Sequence, residues 1–375
     1  MKRAIFGLML WALVLLSLTM VPAAGAGLPA QEGGRDDPDA PLPVVDASVA
    51  RVHGSEAPDG KIRTAAQVEE YWTAERKEAA QPRPYQAAPG EAAGLREPLV
   101  QANGPAGYVN GISIGGTETG AVSGVLGGAS TQTPSLTYPF PFTRTGLNIP
   151  IWRRAVGKLY VTNDVFGGDF YCSAAVITSG NTNYDLVLTE ASCLHAGNND
   201  ESGWSYNISF CPATSYGGEP YGCWTDEFKY VPDPWYLSAN PRYDYGILDT
   251  LDTSNLVCND NLADCVGANG IAWNQPSFQE FWSMGYPYAG FVPAGDVLYF
   301  CTGSLARLST IAGSGPQPLG MGCDLPDAYG GPWIISGKVA NKGYVNSVFS
   351  FKINPNDFYG PYFDSGFFSL WDAAT

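Results

Sequence analysis

Three short stretches carry side chains of the kinds used in hydrolytic chemistry. In 187-VLTEASC-193 a hydroxyl, Ser192, precedes Cys193, with His195 close behind. In 242-RYDYGIL-248 a lone carboxylate, Asp244, opens an apolar run. In 323-CDLPDAYGGPW-333 a phenol, Tyr329, stands immediately before Gly330-Gly331-Pro332. A hydroxyl, an imidazole and a carboxylate are the parts of acyl transfer: the first attacks, the second takes its proton, the third holds the imidazole's tautomer. The imidazole is scarce here, because the chain's two histidines are His53 and His195. On a helical turn Ser192 and His195 would share a face about 5 Å apart, whereas proton transfer needs about 3 Å. His195 is therefore read as a surface-loop residue. Tyr329 is a poor nucleophile, since a phenol has a pKa near 10 and no base is expected beside it. The acid pairs Asp226-Glu227 and Asp324/Asp327 lack the spacing of a calcium loop. No C-x-x-C occurs in the chain, which leaves no zinc pattern. No metal and no cofactor are expected.

Strands must position these groups. From about residue 155 short β-rich runs recur: 156-VGKLYVTN-163, 170-FYCSAAVIT-178, 185-DLVLTEA-191, 278-FQEFWSMGYP-287, 297-VLYFCTG-303, 333-WIISG-337 and 344-YVNSVFSF-351, separated by Gly-, Asn- and Pro-rich turns. With 13% aromatics, 45 glycines, 29 prolines and only 15% charged residues, the pattern indicates an all-β sandwich or a pair of barrels. Residues 31–100 are instead rich in Ala, Pro and charge, and 104–130 in Gly. That stretch is read as a disordered linker or a pro-segment, with one amphipathic helix expected over 65–80. The aromatic run 361-PYFDSGFFSLW-371 is read as a C-terminal segment packing on the second barrel of such a pair, the alternative being a binding surface.

A net charge of −16 argues against nucleic acid and anionic membrane as partners. Lys2-Arg3, the apolar run from Ile5 and the Ala24-Gly25-Ala26 ending form the pattern of a secretory signal peptide over 1–26. The chain is accordingly expected outside the cell, with no membrane association after signal cleavage. Export makes the eight cysteines, Cys172, Cys193, Cys211, Cys223, Cys258, Cys265, Cys301 and Cys323, disulfide candidates. Proximity suggests Cys211–Cys223 and Cys258–Cys265 as local staples. Asn207-Ile208-Ser209 fits the glycosylation sequon.

The order 156-VGKLYV-161, 171-YCSAAVIT-178, 187-VLTEASC-193, then 242-RYDYGIL-248, then 322-GCDLPDAYGGPW-333 resembles the trypsin-like serine endopeptidases, particularly the secreted bacterial glutamyl-endopeptidase-like group. The resemblance spans roughly residues 155 to 365. It implies two antiparallel Greek-key β-barrels at 146–375 (the first at about 150–260, the second at 261–375), preceded by a poorly ordered pro-segment over 27–145. It also implies a Cys172–Cys193 disulfide and makes Cys301–Cys323 a plausible further pair. In the family's Thr-Ala-x-His-Cys motif the histidine falls on Ser192. The triad aspartate falls on Asp244, and the serine falls on Tyr329.

On that mapping the proton acceptor and the nucleophile are both gone. Ser192 is a negligible base near neutral pH. The Tyr329 ring would occupy the space of a scissile carbonyl. The oxyanion turn is altered too: Asp327 and Ala328 replace a Gly-rich sequence before Gly330, and an anionic Asp327 opposes a developing oxyanion. A buried Asp244 without partners is costly; it is expected to accept hydrogen bonds from Ser192 and from the Tyr329 hydroxyl, the alternative being a solvated carboxylate. The resemblance thus implies a secreted, inactive protease homologue that binds an extracellular protein or peptide, as a binding or decoy module. The alternatives are an active endopeptidase with a non-standard site, and a structural or adhesive surface protein.

Overall fold

The computed structural model describes residues 48–57, 60–84, 103–113, 120–126, 142–146, 154–180, 185–251, 261–277, 279–287, 297–309, 311, 313–323, 325, 327–335, 343–354 and 357–375. The signal-peptide pattern, Cys258, Asp324 and all of 85–102 lie outside them. Among the described residues no helix is long and apolar enough to cross a membrane.

Six strands close into the first barrel: Val156–Asn163, Gly168–Ile177, Leu186–Thr189, Tyr206–Pro212, Trp224–Pro232 and Gly246–Thr250. Closure comes from the antiparallel pairing of Trp224–Pro232 with Gly246–Thr250. Successive side chains on a strand face opposite ways, and here both faces are buried. Leu159, Val161, Cys172, Ala174, Val176, Val187 and Leu248 pack into one apolar cluster. Their neighbours Val156, Tyr160, Tyr171, Ala175, Leu186, Leu188 and Ile247 pack into another, which also holds Val68, Trp72, Met284 and Phe367. Burial on both sides explains why these runs lack a clean polar alternation in sequence.

The second sheet is built from Gly270–Trp273, Glu280–Gly285, Tyr299–Leu308, Leu319–Gly322, Pro332–Ile335, Tyr344–Val348, Phe351–Asn354 and Asp357–Gly360. The pairings are antiparallel except that Gly270–Trp273 runs parallel to Tyr344–Val348. The terminal helix Ser365–Ala374 is capped by Asp364, which accepts from the backbone of Gly366 and Phe367. This segment lies against both barrels and not the second alone: Phe368 stacks on Trp273, and Trp371 Nε1 donates to Thr178 O at 2.8 Å.

The described parts of the low-order stretch add to this frame. Val49–His53 pairs with Trp224–Pro232, Gly107–Val109 with Gly270–Trp273, and Phe142–Gly146 with Tyr299–Leu308. The single helix expected over 65–80 is two, Ala65–Tyr71 and Ala74–Ala79. The break falls at Trp72-Thr73, where Thr73 caps the second helix and Trp72 turns its indole to Asn207 O. Asp169 binds both helices, accepting from Tyr71 Oη at 2.7 Å and Arg76 Nη1 at 2.7 Å. After the second helix, Gln81–Pro82 runs parallel to Phe170-Tyr171 on the first barrel.

Candidate functional site

Ser192 sits in the turn Ala191–Cys193 that follows strand Leu186–Thr189, and Asp244 lies two residues before strand Gly246–Thr250. Those strands pair, with Thr189 opposite Gly246, so residues far apart in sequence meet at the barrel's edge. The Cys172–Cys193 disulfide pins the turn to strand Gly168–Ile177. Cys211–Cys223 and Cys301–Cys323 also form. Cys265 is disulfide-bonded, while its suggested partner Cys258 lies outside the described residues.

Asp244 is buried and held by three donors. Ser192 N donates to Oδ1 at 2.8 Å, Ser192 Oγ to Oδ2 at 3.2 Å, and Ser350 Oγ to Oδ2 at 2.5 Å. The Ser192 contact is the expected one. The second hydroxyl belongs to Ser350, just beyond strand Tyr344–Val348, and not to Tyr329. Burial raises the Asp244 carboxyl above its usual range, and Arg83 and the serine donors pull it back.

Tyr329 lies on a turn leading into strand Pro332–Ile335. Its carbonyl accepts from Ser173 N at 2.7 Å, which joins the turn to the first barrel. Gly330 N donates to Phe349 O at 2.8 Å. Gly330 has φ +78°, and an added Cβ would lie 2.2 Å from Thr189 Oγ1 and 2.4 Å from Ser173 O; only glycine fits there. Asp327 holds a left-handed φ of 61° without being glycine and pairs with Lys352 at 3.0 Å. The Tyr329 ring stacks on Phe349, centroids 4.8 Å apart, beside the buried Ala328.

Sequence reasoning missed the group that completes the site. Arg83, from the segment after the two N-terminal helices, reaches into it. Its Nε donates to Glu190 Oε1 at 2.5 Å and its Nη2 to Glu190 Oε2 at 3.4 Å. The guanidinium carbon lies 4.9 Å from the centre of the Tyr329 ring, within range of a cation–π contact. Backbone holds the residue too: Arg83 N donates to Tyr171 O at 3.1 Å, and Nη1 donates to Pro84 O at 3.0 Å. Burial works against the Arg83 charge, but Glu190 and Asp244 more than offset it and raise its pKa. Burial also pushes the Glu190 carboxyl well up, with Arg83 pulling the other way.

Glu190, Ser192 and Tyr329 are 0% exposed, and Asp244 and Arg83 are 3% exposed. These five residues of the cluster are all buried. Asp244 accepts three hydrogen bonds, and both serine hydroxyls beside it act as donors to it.

His195 is not the surface-loop residue expected. It is buried, stacked on Tyr236 with centroids 4.4 Å apart. Its Nδ1 accepts from Gly197 N at 2.9 Å, and Nε2 lies 3.1 Å from Asp200 O. That arrangement selects the neutral tautomer protonated on Nε2, and burial lowers its pKa to about 4. Both ring nitrogens serve the loop 195–200. Asn207, of the sequon, is also buried, its amide donating to Thr162 Oγ1 at 3.3 Å.

No family model and no curated protein sequence matches the chain. Solved structures do. The thermostable serine protease AL20 from an extremophilic microorganism matches at 29% identity and TM-score 0.52, over 60% of this chain and 98% of that one. The protease Anisep from Arthrobacter nicotinovorans matches at 28% identity and TM-score 0.51, over 62% and 99%. A Glu endopeptidase in complex with MPD matches at 16% identity and TM-score 0.45, over 62% and 95%. The chain has the fold of the bacterial trypsin-like serine proteases, two β-barrels with disulfides, and it spans nearly the whole length of the first two structures.

Proposed function

We propose that this chain is a secreted, catalytically inactive serine-protease homologue that works outside the cell as a binding or decoy module. The observation that carries this reading is the closed site. A serine, not an imidazole, stands against Asp244, and a phenol and an arginine fill the buried space beside it. Proton transfer from a nucleophile needs a base of suitable pKa within about 3 Å, and a serine hydroxyl is not one. The turn before Gly330 carries Asp327, ion-paired with Lys352, where the resembled family has a Gly-rich sequence that presents backbone donors. The disulfides suit an oxidising compartment. Incubating the full chain with a library of internally quenched peptides tests this. No fluorescence gain above buffer is expected over a day, and turnover that scales with protein concentration and survives repurification would refute it.

A further inference from the structure

The slot that holds Arg83 has the makings of a recognition site. Glu190 offers both oxygens of a fully buried carboxylate to one edge of the guanidinium. Tyr329 supplies a ring face, Asp244 a second negative charge, and Tyr171 O an acceptor for the backbone beside it. A planar cation donating from two nitrogens matches this arrangement, and a lysine ammonium does not.

The chain's own occupant is anchored unevenly. The helices Ala65–Tyr71 and Ala74–Ala79 are fixed by Tyr71 and Arg76 on Asp169, by Trp72 on Asn207 O, and by Lys77 on Glu219 at 2.5 Å. Beyond them Gln81–Pro82 is a two-residue strand whose proline lacks an N–H. Arg83 N gives the backbone bond to Tyr171 O.

We propose that this slot is a binding site for an arginine presented on an extended peptide, and that the Gln81–Arg83 tip occupies it as a tethered competitor. The inference rests on the non-catalytic reading above, and it names the class of ligand that such a module takes. An incoming peptide adds its strand beside Phe170-Tyr171, the mode of β-augmentation, and sets its guanidinium between Glu190 and Tyr329. The helices keep the displaced tip close by. A short tether of this kind gives an effective concentration on the order of millimolar, so the intact chain binds such peptides weakly and a chain with a disabled tip binds them well.

The test uses the full chain, wild type and Arg83→Ala, with the acetylated and amidated tetrapeptide Gln-Pro-Arg-Pro and its Gln-Pro-Lys-Pro counterpart, titrated by calorimetry. Arg83→Ala is expected to bind the arginine peptide at least about tenfold more tightly than wild type does, and at least about tenfold more tightly than it binds the lysine peptide. Arg83→Ala/Glu190→Gln is expected to lose that binding. An Arg83→Ala protein with a native near-ultraviolet spectrum that binds neither peptide, or binds both alike, overturns the proposal. Should Arg83→Ala fail to fold, hydrogen exchange on the wild type decides. Millimolar arginine peptide is expected to speed exchange of the Arg83 amide at least threefold while the helix 65–71 is unaffected, and no change at Arg83 overturns it. Failure here leaves the non-catalytic reading intact, because that reading answers to covalent labelling and turnover.

Discussion

Replacing Arg83 with methionine keeps most of the side chain's length and removes its charge. Glu190, 0% exposed, then loses the cation that donates to both its oxygens. Removing one partner of a buried pair costs about 3–5 kcal/mol, because the remaining charge is left uncompensated. For a domain of this size that is a fall in Tm of roughly 10 °C. The loss has a definite pH dependence. Burial raises the Glu190 pKa, and the positive charge of Arg83 opposes that rise more strongly than any other neighbour. Without Arg83 the folded pKa climbs further above the unfolded value of about 4.3. A raised folded pKa gives stability that is present below the unfolded pKa and is lost as pH rises through the folded one. Arg83→Met is therefore expected to approach wild type near pH 4 and fall furthest below it near pH 7. Arg83→Met/Glu190→Leu, which removes both charges, is expected to regain most of the loss at pH 7. Scanning calorimetry of the three proteins at both pH values reads this directly. A loss under about 1 kcal/mol at pH 7, or a larger loss at pH 4 than at pH 7, would refute the idea that this pair is a tightly desolvated unit.

Other outcomes follow from the same contacts. His195, with a folded pKa of about 4 against an ordinary 6.5, withdraws about 3 kcal/mol of stability as pH falls from 6.5 to 4. NMR titration of the chain's two histidines should show one imidazole still neutral at pH 5.5, and normal titration of both would contradict its burial. Gly330→Ala puts a Cβ 2.2 Å from Thr189 Oγ1 at φ +78°, and more than about 3 kcal/mol of destabilisation is expected in denaturant melts. The double variant Ser192→His/Tyr329→Ser is expected to remain without peptidase activity, because Arg83 and Glu190 still fill the site. Hydrolysis by that variant would show that the plug does not block it.

The motifs made part of this site legible and hid the rest. Ser192 and Asp244 stand in segments whose order and cysteines resemble a known pattern, and the pairing of Leu186–Thr189 with Gly246–Thr250 joins them. Two-sided burial of the barrel strands was not legible, since nothing in 156-VGKLYVTN-163 says that helices and a second sheet cover its outer face. Arg83 was missed because its partner is 107 residues away and its surroundings, Gln-Pro-Arg-Pro, read as a linker. A signal existed on the other side of the pair. Glu190 stands where the resembled motif has alanine, in a run otherwise uncharged, and a carboxylate there demands a cation. The sequence does not say which of the chain's 20 basic residues answers that demand. The second partner of Asp244 is Ser350 for a similar reason: the register of Pro332–Ile335 against Tyr344–Val348 sets which hydroxyl arrives, and that register is a property of the fold.

The central claim of the proposed function is that the site around Asp244 holds no activated hydroxyl. Intact-mass analysis after incubation with a fluorophosphonate tests it most directly, since that reagent forms an adduct with an activated hydroxyl nucleophile. An unchanged mass is expected for the full chain. A stoichiometric adduct mapping to Ser192, Ser350 or Tyr329 would contradict the claim.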